Sequence, residues 1–227
     1  MSTAVANSRI DRVARFYDST IGKKAVMAVT GLILFGYLIV HMLGNLQFFL
    51  GPEVMNRYAE MLHGNPPLLW GVRVLLLVSV ILHAGASIQL WKLKQIARPV
   101  AYVKPGRVQA TFASRTMMLS GPIIGAFVVY HLLHMTTGDA HPQFVPLRPF
   151  ENLLTAFRNP IVSAVYVASM IFVGFHLSHG AWSMFQSVGF NHPRYTPFLK
   201  KSAAIVAWIL IAGFISIPIA VITGVVG

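Results

Sequence analysis

Apolar and charged positions fall in long separate blocks along this chain. Five stretches contain no Asp, Glu, Lys or Arg: residues 25–52, 74–91, 116–138, 159–193 and 202–227. Each reaches the length of about 18 residues or more that marks a candidate membrane-spanning helix. The pattern predicts an all-α integral membrane protein whose residues 1–227 form a single transmembrane domain. The five predicted helices cover about 25–49, 68–91, 116–138, 161–187 and 203–226.

The composition agrees with a membrane protein and leaves no room for a separate soluble domain. Only 11% of the residues are charged and 56% are hydrophobic, whereas soluble domains carry about 25% charged residues. Cysteine is absent, which excludes disulfides, iron–sulfur ligation and thioether-attached haem. Residues 1–24 lack an apolar segment followed by a cleavage site, so no cleaved signal peptide is expected.

The charged loops predict the orientation in the membrane. When the loops are assigned to alternate sides, fourteen of the 18 Lys and Arg residues fall on one side. These fourteen are Arg9, Arg12, Arg15, Lys23, Lys24, Lys92, Lys94, Arg98, Lys104, Arg107, Arg115, Arg194, Lys200 and Lys201. The positive-inside rule then puts the N-terminus in the cytoplasm and the C-terminus outside, in a bacterial-type cytoplasmic membrane. The net charge of +12 thus indicates a basic cytoplasmic face that meets anionic lipid or a protein partner, and no nucleic-acid-binding surface.

Four of the five predicted helices carry histidine inside an apolar stretch, where ionisable side chains are costly and usually functional. They are His41 in the first helix, His83 in the second, His131 and His134 in the third, and His176 and His179 in the fourth. At about 1.5 Å per residue, His41 lies ~25 Å past Lys24, and His83 lies ~13 Å before Lys92. The histidines therefore sort into an outer layer on the first and third helices and an inner layer on the second and fourth.

Paired histidines at equal depth on facing helices are typical of a b-type haem held by two imidazoles. Such a six-coordinate haem transfers electrons, and two of them at different depths would carry electrons across the membrane. Within each doublet we favour His131 and His176 as iron ligands, with His134 and His179 reaching the haem edge. Small residues beside the ligands would leave room for the macrocycle; these are Gly44, Ala84, Gly85 and Gly180. The simpler alternative is a histidine-bearing transporter without a cofactor, whose histidines form hydrogen bonds between helices or relay protons.

Two segments resemble a known family. Residues 22–31 (GKKAVMAVTG) with residues 41–46 (HMLGNL), and residues 176–189 (HLSHGAWSMFQSVG), resemble the first and fourth spans of the cytochrome b subunit of succinate dehydrogenase and fumarate reductase. The resemblance extends over essentially the whole chain and is to the single-polypeptide, five-helix, dihaem anchors. It implies a bundle with two stacked haems b, ligated by His41 and His131 in the outer haem and by His83 and His176 in the inner haem.

The resemblance also implies a role in respiratory complex II and the tricarboxylic acid cycle. An iron–sulfur subunit would dock on the cytoplasmic face and carry a flavoprotein subunit, so that FAD and the iron–sulfur clusters belong to the partners. The chain would then be the membrane subunit of an enzyme, with no succinate-oxidising site of its own, and would pass electrons to menaquinone or ubiquinone. A higher oligomer of the complex is compatible with this interpretation.

The resemblance suggests two places for the quinone. Glu60, before the second helix, is the nearest candidate for a proton-relaying carboxylate, with Tyr58, His63 and Arg73 as neighbours; an exposed loop acid is the equally weighted alternative. A second location is the inner end, near Ser19, Lys23 and Lys24. The competing family assignment is a dihaem anchor of a hydrogenase or formate dehydrogenase.

Overall fold

The computed structural model describes residues 11–12, 14–98, 100 and 111–226, which form helices and no strand. The basic residues Arg9, Lys104 and Arg107 lie outside this part of the chain. Its helices are α1 (Thr20–Leu46), α2 (Pro52–His63), α3 (Pro66–Ala97), α4 (Phe112–Leu132), α5 (Pro149–Phe157), α6 (Pro160–Ser187) and α7 (Thr196–Ile222). A 3₁₀ turn, Gln47–Leu50, continues α1, and a π-helical turn, Leu133–Thr137, continues α4.

Five of these helices are long and apolar enough to cross a membrane, which confirms the predicted number of spans. Four of the five extend beyond the predicted bounds at the charged end: α1 starts at Thr20, α3 continues to Ala97, α4 starts at Phe112, and α7 starts at Thr196. Charged residues mark the edge of the hydrocarbon, and a helix can continue past that edge because its backbone hydrogen bonds are internal. The sequence pattern therefore located the spans correctly and underestimated the length of the helices.

Two short helices, α2 and α5, occur in segments that we predicted as loops. Each begins with proline at its first turn, where the missing N–H group costs nothing. The two helices pack against each other, and Asn56, only 3% exposed, joins them. Its Nδ2 donates to both carboxylate oxygens of Glu151 at 3.2 and 2.9 Å, and its Oδ1 accepts from the Phe150 N–H at 3.2 Å. We call this the capped end of the bundle, and the opposite end, where α1 begins, the basic end.

The long helices pack around α1 and α6. Helix α1 contacts α3, α6 and α7, and α6 contacts α4 and α7. The pairs α1 with α4 and α3 with α6 make at most sparse backbone contact among the described residues. These two loosely packed pairs are the ones that carry the matched histidines.

At the basic end, α1 begins with a hydrogen-bonded cap. The Ser19 hydroxyl accepts from the Gly22 N–H at 2.9 Å, as preferred N-cap residues do. Lys23 is buried, and its Nζ donates to the carbonyl oxygens of Tyr17 and Asp18 at 3.0 and 2.8 Å. Ser19 and Lys23 thus bind the backbone around the start of α1, whereas Lys24 is exposed.

Candidate functional site

The histidines of α3 and α6 face each other near the basic end. The ring centroids of His83 and His176 lie 6.3 Å apart, with an interplanar angle of 58°. Because α3 and α6 pack only sparsely, the two imidazoles bridge a gap between helices. We call His83 and His176 the basic-end pair; it corresponds to the inner layer of the sequence analysis.

A second pair lies nearer the capped end, between α1 and α4. The ring centroids of His41 and His131 are 5.8 Å apart, and the rings are close to perpendicular at 79°. We call these two residues the capped-end pair. These two pairs join the same helices whose histidines were predicted from residue number to lie at equal depth.

Both separations suit two imidazoles that bind one metal ion from opposite sides. With metal–nitrogen bonds of about 2 Å, two such rings have centroids about 6 Å apart. Within the described residues, no group of three or more His, Asp and Glu side chains could hold a metal ion. Two imidazoles alone therefore fit a cofactor that brings its remaining metal ligands with it, as haem does.

The chain fixes one nitrogen of each ring in the basic-end pair. The Nδ1 of His83 lies 3.1 Å from the Met27 carbonyl oxygen and 3.3 Å from the Thr30 hydroxyl. The Nδ1 of His176 lies 3.2 Å from the hydroxyl of Ser120, a residue 1% exposed on α4. Metal-binding histidines usually donate their second N–H to such an acceptor, which orients the ring and leaves Nε2 for the metal. The Nδ1 contacts of the basic-end pair are therefore those expected of two metal-binding imidazoles.

Aromatic side chains hold the capped-end pair. The His41 ring stacks on Tyr37 at 5.3 Å and 14°, and the Asn45 amide lies 3.4 Å from each of its ring nitrogens. The Nδ1 of His131 lies 3.4 Å from the Tyr166 hydroxyl. These contacts are longer than those of the basic-end pair, so stacking contributes more to ring orientation here.

The second histidine of each doublet lies in a different environment. His134, in the π-helical turn, is 2% exposed; its Nδ1 lies 2.9 Å from the Tyr166 hydroxyl, and its ring stacks on His141 at 4.8 Å. His179 packs edge-on against Trp182 at 5.7 Å. The rings that face a histidine of the opposite helix are those of His131 and His176, as the sequence analysis favoured.

The small residues beside the ligands are not equivalent. A Cβ added at Gly85 or Gly180 would meet nothing within 4 Å, so both positions border open space. At Gly44 an added Cβ would lie 3.1 Å from Cε1 of Tyr58. The Tyr58 ring therefore occupies the space beside Gly44, where the sequence predicted room for a macrocycle. Ala84 is exposed on α3.

The four quinone candidates do not form one cluster. Tyr58 lies against α1 at Gly44, and Arg73, on α3, lies over the Trp70 ring at 5.1 Å. Both are within electrostatic range of Tyr37, which stacks on His41. This group is the part of the candidate set that borders the capped-end pair.

Glu60 and His63 lie at the surface of the capped end. A Glu60 carboxylate oxygen is 3.9 Å from Arg148 Nη1, and both side chains are about half exposed, at 52% and 51%. His63 Nδ1 lies 2.8 Å from the Ala59 carbonyl oxygen of its own helix. Glu60 borders a polar cavity of about 370 Å³ whose other charged lining residues are Glu53, Arg57, Arg148 and Glu151.

Sequence reasoning missed the residues that orient the rings. Tyr166 is the only tyrosine in the charge-free stretch 159–193, a signal that could have been used. Ser120 and Thr30 carry no such signal, because hydroxyl residues are common in membrane helices and often bond their own backbone.

Comparisons of the chain with protein-family models, with curated proteins and with solved structures found no match.

Proposed function

We propose that this protein is the dihaem cytochrome b membrane anchor of a succinate:quinone oxidoreductase. The observation that carries the proposal is the presence of two histidine pairs, at 6.3 and 5.8 Å, on opposed helices of a five-span bundle. The family resemblance stated above supplies the substrate class; the geometry alone supports a haem-binding electron carrier.

The residues of the two pairs have defined roles in this proposal. When bound, haem b supplies reversible one-electron transfer. His83 and His176 would hold one iron and His41 and His131 the other. The Met27 carbonyl and the Ser120 hydroxyl lie within hydrogen-bond distance of Nδ1 of the two basic-end rings, which would leave Nε2 free to bind the metal. His134 and His179 would contact the edges of the two haems.

The charge distribution supports a direction for the electrons. The basic end carries the Lys and Arg residues that the positive-inside rule places in the cytoplasm. We infer that the iron–sulfur and flavoprotein subunits would dock there, on the side of His83 and His176, and that quinone would be reduced on the side of His41 and His131. Tyr58 and Arg73 would border the quinone, and Glu60 would exchange its protons with the aqueous phase.

An absorption spectrum of the purified protein tests the haem assignment, and its co-purifying subunits test the family. We expect a sharp reduced-minus-oxidised b-haem band, two haems per chain, and a flavin-bearing partner. A protein without haem would support a cofactor-free transporter. A nickel or molybdenum partner would instead assign the chain to a hydrogenase or formate dehydrogenase.

Glu60→Gln tests the proton exchange separately. General acid–base groups contribute about a hundredfold or more to rate, so quinone reduction by the assembled complex should fall by about that factor while the haem spectrum stays unchanged. Glu53→Gln, in the same cavity, is the matched control and should keep its activity. Equal activity of the two variants would remove Glu60 from the proposal.

A further inference from the structure

Helix α7 carries no histidine and takes no part in the proposed electron path. Its outward face nevertheless carries a groove. An open groove of about 490 Å³ runs along one side of the helix. Its lining residues are Lys201, Ala204, Ile205, Trp208, Ile209 and Ala212. They recur every three or four positions, so they share one face of the helix.

This face points away from the bundle. The buried residues of α7 in the same stretch are Ala203, Ala207, Leu210 and Ile211, and they occupy the side that packs against α6. Ile205 and Ile209 are 50% and 63% exposed, as expected of side chains that meet lipid tails in a spanning helix. The groove therefore opens toward the hydrocarbon of the membrane.

The wall of the groove is held in place by α6. A Cβ added at Gly174 would lie 2.9 Å from Cζ3 of Trp208, so the indole edge rests on this glycine. The Phe175 ring packs edge-on against the same indole at 5.2 Å. The small side chains of Ala204 and Ala212 leave recesses on either side of Trp208. Contacts within the chain thus set the position of the indole that lines the groove.

The polar end of the groove is cationic. Lys201 lines the groove and is exposed. Its neighbour Lys200 lies over the Trp182 ring at 4.3 Å. Among the described residues, Lys201 makes no ion pair within 4.0 Å, because the single such pair joins Arg148 and Glu60. The ammonium group is therefore available to an anion at the membrane surface.

The length of the groove matches one leaflet. From Lys201 to Ala212 the helix rises ~16 Å, and half of a typical hydrocarbon core is ~15 Å. We propose that this groove binds one anionic phospholipid, with its phosphate at Lys201 and an acyl chain along Trp208 to Ala212. The positive-inside orientation puts the site in the cytoplasmic leaflet, where anionic lipids are concentrated.

A second copy of this chain fits the face less well. A two-fold dimer through α7 would use the same face on both copies. With both helices crossing the membrane in the same direction, the two Lys201 ammonium groups would approach each other. Like charges at such an interface are unfavourable, whereas a lipid phosphate neutralises the charge.

Native mass spectrometry of the protein purified with its associated subunits tests this site. The wild-type protein and Lys201→Gln are titrated with phosphatidylglycerol and with phosphatidylcholine of the same acyl chains. We expect one phosphatidylglycerol to bind in preference to phosphatidylcholine. Lys201→Gln should weaken its binding about fivefold, which corresponds to the ~1 kcal/mol of one basic residue near an anionic surface.

Three variants separate the site from general surface charge. Lys201→Arg should keep the binding of phosphatidylglycerol, because the positive charge is retained. Ala212→Phe should weaken this binding by filling the recess. Lys92→Gln, at the same end of α3, should leave it unchanged. Equal binding of the two lipids, or an equal loss in Lys92→Gln, would overturn the proposal. A dimer mass that disappears in Ala212→Phe would instead make the face a contact between copies. The lipid count does not depend on haem content, so it stands or falls separately from the proposed function.

Discussion

The two histidine pairs have similar spacing but are supported by different chemistry. At the basic end, His83 and His176 each direct Nδ1 to an oxygen of a neighbouring helix at 3.1–3.2 Å. At the capped end, His41 stacks on Tyr37 and His131 stacks on Phe127, and the hydroxyl 3.4 Å from His131 Nδ1 lies closer to His134. Hydrogen bonds orient the first pair and aromatic packing orients the second. The same substitution should therefore have different consequences at the two ends.

Removing one proposed iron ligand should distinguish the two ends most completely. Under the proposed function, we expect His83→Ala to lose the haem assigned to the basic end and to keep the other, because each iron would need both of its imidazoles. His41→Ala should produce the reverse loss. Haem content per chain and the reduced-minus-oxidised spectrum measure both outcomes.

His179→Ala is the comparison variant within the same helix, because the proposed function gives His179 a contact with the haem edge and no bond to iron, and its ring faces Trp182. It should keep both haems. If His83→Ala also kept both haems, the basic-end pair would not be a ligand pair.

Tyr166→Phe should disturb the capped end more than any hydroxyl deletion disturbs the basic end. The change leaves the buried Nδ1 of His134 without its 2.9 Å partner, and an unsatisfied buried polar group costs about 1–3 kcal/mol. We expect a lower thermal unfolding midpoint and a shifted capped-end haem band, with the basic-end band unchanged.

Tyr130→Phe provides a matched control for Tyr166→Phe. The Tyr130 ring stacks on His134 at 5.1 Å, but among the described residues its hydroxyl makes no hydrogen bond to a histidine. The stability of this variant should stay near that of the wild type. An equal loss in both variants would mean that ring packing, and not the hydroxyl, supports this end.

Ser120→Ala should change the basic-end haem without unfolding the protein. Loss of the 3.2 Å contact to His176 Nδ1 makes the imidazole a weaker electron donor, so the oxidised iron is less stabilised and the midpoint potential rises. A hydrogen bond of about 1 kcal/mol corresponds to about 40 mV for one electron. A redox titration followed at the haem band measures the shift.

Ser178→Ala is the control here, because among the described residues the Ser178 hydroxyl bonds only the Phe175 carbonyl of its own helix. It should leave both potentials unchanged. A potential that rises equally in the two serine variants would show that Ser120 does not act through His176.

The sequence predicted the parts of this molecule that depend on composition and depth. Charge-free stretches located all five spans, because a helix without charges is what the hydrocarbon core requires. Counting residues from Lys24 and Lys92 matched His41 with the third helix and His83 with the fourth. Helical rise is constant, so depth could be read from residue number alone.

Rotation about each helix axis could not be read in the same way. The sequence gives no reason why Tyr58 fills the space beside Gly44, or why Ser120 of one helix meets His176 of another. These contacts depend on how α2 and α4 are rotated and packed against the neighbouring helices. Helix α2 was predicted as a loop, because its residues between two spans are polar. Its amphipathic face can be recognised only from the part of the bundle that it covers.

The smallest effect is expected at the surface of the capped end. The pair Arg148–Glu60 is 3.9 Å long and half exposed, and such pairs contribute about 0–1 kcal/mol. Arg148→Gln should therefore lower the unfolding midpoint slightly, and the difference should shrink in high salt because the charges are screened. Asn56→Ala, in the same α2–α5 contact, should cost more at every salt concentration, since it leaves the Phe150 N–H and the Glu151 carboxylate without their buried partner. Equal instability of the two variants at low salt would mean that surface charge, and not the buried amide, holds α2 against α5. The environment of the capped-end pair would then depend on ionic strength, whereas that of the basic-end pair would not.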